Sequence, residues 1–279
     1  MPKKFPTVSA AKFRRSRKAL AIPVTFMILF VTTLTLISVT YYLAVEKVNA
    51  KSQDLKITTA KQDFLTLDDD VLAVAWQPGS ARTINIGDSG GQLKTEPTAN
   101  LLTISVSDNR QINQTVYNET VGQVTYQLPS SESADTGLFL KGDSRTIVGQ
   151  SSSVVTQLSI ESGIEAPEIQ LQYRPTVLYA TEGTENGQAV NEVRIYVLNM
   201  NGSDPIALYG EVPLRISSES TRVTSTEYSV AYSPQTLSVT ANLNGVEGQI
   251  SIPISSTANG AIVNLEVVEC NITIARSLA

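Results

Sequence analysis

Between Leu20 and Ala44 the chain carries 25 residues without a charge, Leu20-Ala-Ile-Pro-Val-Thr-Phe-Met-Ile-Leu-Phe-Val-Thr-Thr-Leu-Thr-Leu-Ile-Ser-Val-Thr-Tyr-Tyr-Leu-Ala44, and Glu46 is the first acid. A hydrocarbon core of about 30 Å is crossed by roughly 20 such residues in a helix. The run is therefore long enough to span a bilayer. Its Thr and Ser hydroxyls can bond to the preceding helical turn, which makes them tolerable in lipid. Tyr41 and Tyr42 fall where an interfacial aromatic belt would sit.

The charge distribution orients the span. The 279 residues hold 21 Lys+Arg and 26 Asp+Glu, a formal charge of −5. Lys3, Lys4, Lys12, Arg14, Arg15, Arg17 and Lys18 all precede the apolar run, with no acid among them. The first 18 residues are thus basic and the remainder acidic. The positive-inside rule places the N-terminus in the cytoplasm and residues from about 46 onward outside. A cleaved secretory signal is the competing reading, because Ala19-Leu20-Ala21 has the small-x-small form of a signal-peptidase site. That site precedes the apolar run, and the run exceeds the 7–15 residues of an ordinary signal core. An uncleaved anchor fits both facts.

Composition removes several chemistries. The chain has no His and one Cys, Cys270. Ser-His-Asp and Cys-His pairs, an imidazole base and a His-bearing zinc site are excluded. No cofactor or metal is expected, and the protein is expected not to be an enzyme. The acidic bulk repels a phosphate backbone, so nucleic acid is not a predicted partner.

The basic cluster ending in Arg17-Lys18-Ala19, followed at once by Leu20-Ala-Ile-Pro23-Val, resembles the N-terminus of archaeal type IV pilin-like proteins. The resemblance covers about residues 14–45. It implies cleavage by a prepilin-type peptidase between Ala19 and Leu20, with the apolar run kept on the mature chain. A second patch, Val74-Ala-Trp-Gln-Pro-Gly-Ser-Ala-Arg-Thr-Ile-Asn-Ile86, resembles the same family's passage from a long helix through a Pro-Gly-Ser turn into the first strand.

Helical spacing continues past the membrane run. Ile57, Ala60, Phe64, Leu67, Val71 and Val74 recur at intervals of 3 and 4, the stripe of an amphipathic helix. Pro78-Gly79 forbids its continuation. The spacing predicts one nearly continuous helix from Leu20 to about Trp76, with a break near Asn49–Ser52. Val71–Trp76 is also rich enough in β-formers to read as a strand.

Beyond Gly79 the period changes to two. Apolar and polar residues alternate over Thr83–Ile86, Leu102–Val106, Val124–Leu128, Val193–Leu198, Leu237–Ala241 and Ile262–Val267, as in antiparallel sheet. Asn244-Gly245, between Leu237–Leu243 and Val246–Ile254, supplies the positive φ angles of a two-residue hairpin turn. The expected fold class is α+β: a long N-terminal transmembrane and amphipathic helix followed by an all-β, sandwich-like extracellular domain. The divisions are a leader at 1–19, a span at 20–45, a helical continuation at 46–77, and β-rich regions at 78–160 and 161–279. The two β-rich regions read as one domain or two, with interruptions at 151–167.

Four N-x-Ser/Thr sequons mark candidate glycosylation at Asn113, Asn118, Asn201 and Asn271, all on the predicted outer side. Asn113, Asn118 and Asn201 read as loop residues and Asn271 as a strand residue. Asp68-Asp69-Asp70 lacks the alternation and glycine of a calcium loop and reads as a solvated helix face. Asp88 and Asp143 read as turn formers. Cys270 reads as a half-buried strand residue.

These features lead to three expectations. The first is a pilin-like filament subunit, anchored in the lipid bilayer before assembly and forming a homo-oligomer through its N-terminal helix. The second is a non-polymerising anchored ectodomain that binds a ligand, a surface-layer partner or another cell. An ecto-enzyme is the third.

Overall fold

The computed structural model describes residues 18–108, 110–129, 136–151, 154–231 and 236–277, with side chains from Pro23 onward. Lys3 to Arg17, and the side chains of Lys18, Ala19 and Leu20, lie outside that set. The chain divides into two compact units, one ending at Ser52 and the other running from Gln53 to Ala279.

Helix α1 covers Lys18–Ala75. It starts inside the basic leader, ahead of Leu20. The expected break at Asn49–Ser52 is absent, because these residues are exposed and helical and include neither Pro nor Gly. Polar side chains that reach water do not interrupt a helix. The helix rather than the strand reading holds through Ala75. From Gln53 onward the predicted stripe is the buried one: Ile57, Ala60, Phe64, Leu67, Val71 and Val74 are all 5% exposed or less.

The end of α1 is capped by the β-structure. The Ala75 carbonyl accepts from the Ser218 hydroxyl at 3.2 Å and from the Cys270 thiol. Ser80 donates its N–H to Gln77 O and its hydroxyl to Val74 O, and Gly79 turns the chain with φ +85°. Carbonyls left open at a helix end are thereby satisfied. Cys270 is fully buried rather than half-buried. Its burial pushes the thiol pKa up, so it stays protonated and donates.

Among the described residues, fourteen strands follow α1. One sheet has the order β1 (Ala81–Ile86), β11 (Val212–Val230), β14 (Ala261–Arg276), β9 (Gln188–Asn199), β8 (Thr176–Glu185), β5 (Val148–Gly149). The other runs β13 (Val246–Pro253), β12 (Thr236–Leu243), β2 (Gln92–Ser107), β3 (Asn113–Gln127), β7 (Pro167–Tyr173), β6 (Thr156–Ser162), β4 (Leu138–Lys141), with β10 (Ile206–Tyr209) also on β2. Most pairs are antiparallel, but β14 and β9 are parallel neighbours. Every segment of alternating residues singled out above falls in a strand, apart from Leu128, which follows β3.

The sheets are curled, and one strand shows how. β14 gives Val263, Leu265 and Val267 to one apolar core and Cys270, Ile272 and Ile274 to a second. Odd and even residues of a strand point to opposite faces. The strand therefore covers one core with one face and the other core with its reverse. β9 does the same with Val193, Ile195 and Val197 against Leu198. The second core is the one that holds Ile57–Ala75 of α1, together with Leu93, Tyr126, Leu158, Ile169 and Leu171. The first holds no residue of α1 and is closed by strand residues, including Leu102, Ile104, Val239 and Ile252, with Ile112, Ile147 and Ile254 from the adjoining loops.

The regions 78–160 and 161–279 share both sheets. Their proposed boundary falls inside β6, which pairs with β7 from Thr156↔Tyr173 to Ser162↔Pro167. The polar stretch at 161–167 is a hairpin loop, which is why it interrupts the alternation without separating two bodies. The other hairpin is as read: Leu243 opposes Val246, with Asn244 at φ 50° and Gly245 at φ 90°. Gly245→Ala is expected to cost about 1 kcal/mol, since a Cβ disfavours that angle. The shift of the urea midpoint against wild type measures it.

Candidate functional site

The feature that sets this chain apart is the first unit's helix. Val24 through Leu43 is exposed along its whole length; Phe26, Met27 and Tyr41 are each above 70%. An 18-residue window within the helix reaches a mean hydropathy of 2.0 with none of it buried. By length and composition this helix can cross a membrane. Four of its hydroxyls are bonded within the helix. Thr32 and Thr33 donate to Leu29 O at 2.9 and 2.7 Å, Thr35 to Val31 O at 2.8 Å, and Ser38 to Leu34 O at 2.9 Å. This is the arrangement a hydrocarbon solvent requires of hydroxyls.

Ala19 and Leu20 lie in the first turn and a half of α1 as helical backbone. Pro23 lies inside the helix. A proline has no N–H, so the Ala19 carbonyl lacks the partner it would otherwise have four residues on. One helical hydrogen bond is therefore missing beside Ala19.

In the second unit, the most polar concavity lies between two strands that end their pairing early. β7 pairs with β3 only over Val124–Gln127, and β1 with β11 only over Val212–Ser217. Among the described residues, 113–123 of β3 and 219–230 of β11 have a strand on one side only, one from each sheet, with the Thr120 carbonyl taken by the Asn199 amide. Between them is a cleft of about 260 Å³ lined by Tyr117, Asn118, Glu119, Arg222 and Glu269 among others. Glu269 is 2% exposed. It accepts from the Tyr117 hydroxyl at 2.8 Å and the Asn199 amide at 3.1 Å, and its other oxygen meets Arg222 at 2.6 Å. Arg222 also pairs with Glu119. Burial first, and the Glu269 carboxylate second, raise the Tyr117 pKa far above its ordinary 10.0. The phenol thus remains a donor, and the carboxylate has all its partners. The cluster ties the two sheets together.

A second buried carboxylate corrects the sequence reading. Asp68, expected on a solvated face, is 0% exposed. It accepts from Thr156 Oγ1 at 2.8 Å, the Tyr173 hydroxyl at 3.0 Å and Lys141 Nζ at 2.5 Å. Asp69 is exposed and touches the same ammonium at 3.1 Å, and Asp70 pairs with Arg82 at 2.8 Å. Asp68 follows Leu67 and Phe64 on the buried side of α1, so three consecutive acids point three ways. That a lone carboxylate would be buried shows in the sequence only as an acid one residue from the apolar stripe. Among the described residues no cluster of His, Cys, Asp and Glu could hold a metal.

Asp88 and Asp143 close turns as read, accepting from Gly90 N and Arg145 N. Asp143 also holds the side chains of Arg145 and of Arg174, the latter fully buried. These guanidiniums, Arg145 first, hold the Asp143 carboxyl well below the usual carboxylate range. A depressed folded pKa contributes stability that is complete above the unfolded value and lost as pH falls through the folded one. Thermal stability is therefore expected to fall below about pH 4, and Asp143→Asn should flatten that part of the profile.

The sequons separate. Asn113 is exposed at the first position of β3, and Asn118, also exposed, lies within β3, so neither is the loop residue expected. The Asn118 side-chain oxygen accepts from Thr103 at 2.9 Å. Asn201 lies in a turn as expected, but its partner Ser203 is buried and accepts from Ile274 N. Asn271 lies in β14, donates to Ser220, and its partner Thr273 has a buried hydroxyl. Only Asn113 and Asn118 present exposed side chains. Sequence reasoning missed Tyr117, Asn199, Arg222 and Glu269. Their one signal is the phase slip between Val267 and Cys270.

No protein family, characterised protein or solved structure matches the chain. The functional reading therefore rests on the residues themselves.

Proposed function

We propose that this protein is a pilin-like subunit of a cell-surface filament, held in the membrane by α1 before assembly, with the β-domain outside. The observation that carries the reading is the fully exposed apolar run from Val24 to Leu43, preceded by seven basic residues. In water such a surface is costly, at roughly 25 cal/mol per Å². Lipid tails cover it in the membrane, and helices of other copies cover it in a filament. Thr25, Thr32, Thr33, Thr35, Ser38 and Thr40 permit close helix approach. Processing between Ala19 and Leu20 would remove the basic leader and leave an acidic chain.

The test is the N-terminus of the protein isolated from its native membrane. A mature chain that begins at Leu20, resists carbonate extraction and enters filaments seen by electron microscopy is the expected result. An intact segment from Lys3 to Lys18 on a chain that stays with single membranes rejects the filament reading.

That second outcome favours an anchored ectodomain that binds a partner. The open edges of β3 and β11, with the polar cleft between them, are the feature that supports it. Extended peptides add to such edges through main-chain hydrogen bonds.

A further inference from the structure

The described residues contain four Asn-Gly pairs, at Asn186, Asn201, Asn244 and Asn259, and the structure gives them different chemistry. Asn-Gly is the dipeptide in which the following backbone nitrogen most easily reaches the side-chain carbon, because glycine has no Cβ in the way. Whether it does so in a folded protein depends on what holds the amide and the N–H.

At Asn244 both are held. The side-chain oxygen accepts from Leu101 N at 2.8 Å, the amide nitrogen donates to Asn100, and Gly245 N donates to Asn242 Oδ1 at 2.8 Å. At Asn259 the reacting nitrogen is engaged, since Gly260 N donates to Thr257 O at 3.1 Å, and Gly260 is buried against Val230. Asn201 is half-buried in a turn closed by Asn201 N to Asn199 Oδ1 and by Ser203 N to Met200 O, although among the described residues neither its amide nor Gly202 N–H makes a hydrogen bond. Asn186 combines unheld reacting groups with full exposure. It is exposed at the tip of the β8–β9 hairpin, at φ 49°, and among the described residues neither its amide nor Gly187 N–H makes a hydrogen bond.

We infer that Asn186 is a site of spontaneous deamidation, the Asn-Gly pair that is both exposed and unheld at its reacting groups. The Gly187 nitrogen attacks Asn186 Cγ. A C–N bond forms, the Cγ–Nδ2 bond breaks, and ammonia leaves with the proton from Gly187. Water then opens the resulting succinimide at either carbonyl, giving aspartate or isoaspartate. The net change is one amide hydrolysed by one water, with no oxidant or reductant.

The isoaspartate product matters structurally. It adds a methylene to the main chain inside the two-residue loop that sets Glu185 opposite Gln188. The tip is also tied to the neighbouring loop, through Thr257 Oγ1 to Gly187 O at 2.6 Å and Gln188 Nε2 to Asn259 O at 3.1 Å. Isoaspartate lengthens the loop and displaces these bonds. Either product places a new carboxylate beside the exposed Glu182 and Glu185.

The test is peptide mapping of the purified full chain, in detergent, incubated at mildly alkaline pH. Peptides containing Asn186, Asn201, Asn244 and Asn259 are followed by mass spectrometry, and isoaspartate is labelled with isoaspartyl methyltransferase. Asn186 is expected to convert faster than each of the other three by about tenfold or more, since the hydrogen bonds at Asn244 and Asn259 and the half-buried turn at Asn201 must open first. The same sample unfolded in urea should convert all four at similar rates. Equal rates in the folded chain, or a faster rate at Asn201, Asn244 or Asn259, overturn the inference. Loss of the methyltransferase label in Asn186→Gln, with the rest of the map unchanged, assigns the site.

Discussion

A chain that begins at Gln53 is expected to fold as a soluble domain, and a chain that begins at Ser80 is expected not to fold at all. The difference is one helical segment. Ile57, Ala60, Phe64, Leu67, Val71, Val74 and Ala75 are buried among strand residues from both sheets. Burial of each larger apolar side chain is worth about 1.5–3 kcal/mol. Five such residues together contribute about 7.5–15 kcal/mol, comparable with the roughly 5–15 kcal/mol by which a typical domain is stable. The shorter chain also loses the Ala75 carbonyl that Cys270 and Ser218 cap, and the carboxylate of Asp68. Circular dichroism and a cooperative urea transition distinguish the two chains. A folded Ser80–Ala279 would mean that the helix is an ornament on a self-sufficient β-structure, contrary to the packing described.

Asp68→Ala is the point substitution expected to cost most, about 3–5 kcal/mol in the Gln53–Ala279 chain. The change leaves two buried hydroxyls, on Tyr173 and Thr156, without their acceptor and removes the closer of the two carboxylates on Lys141. Asp68→Asn, which keeps an oxygen in place, should cost less. Asp69→Asn is the control: Asp69 is exposed, and surface ion pairs contribute roughly 0–1 kcal/mol. Urea midpoints of the three variants give the order. If Asp68→Ala and Asp69→Asn shift the midpoint equally, Asp68 is solvated after all.

Much of this architecture is legible in the residues. The interval pattern from Ile57 to Val74 specifies a helix and its buried face, because apolar periodicity and burial have the same physical cause. The turn at Asn244-Gly245 is legible because its backbone angles admit few residues. The helix runs on through Asn49–Ser52, because a helix stops at Gly, Pro or a cap and none is present there, while the division between the two compact units still falls at Ser52. Asp68 is misread. Local polarity says that a carboxylate prefers water, and only the tertiary structure brings Thr156, Tyr173 and Lys141 to satisfy it. Glu269 and Arg222 meet through strand pairing across 47 positions of sequence, which no local pattern encodes. The sequons at Asn201 and Asn271 look equivalent to that at Asn113 until the fold buries their hydroxyl partners.

β14 has a consequence for the timing of folding. It lies between β11 and β9 in its sheet and supplies apolar residues to both cores. One of those cores also needs residues 57–75 from the other end of the sequence. Neither can close until the residues up to Arg276 have been synthesised and delivered to the same compartment as the helix. Contacts of such sequence separation form slowly. While a nascent chain is still being synthesised, the strands from β1 to β13 must therefore wait for the last 16-residue strand before their interior is complete.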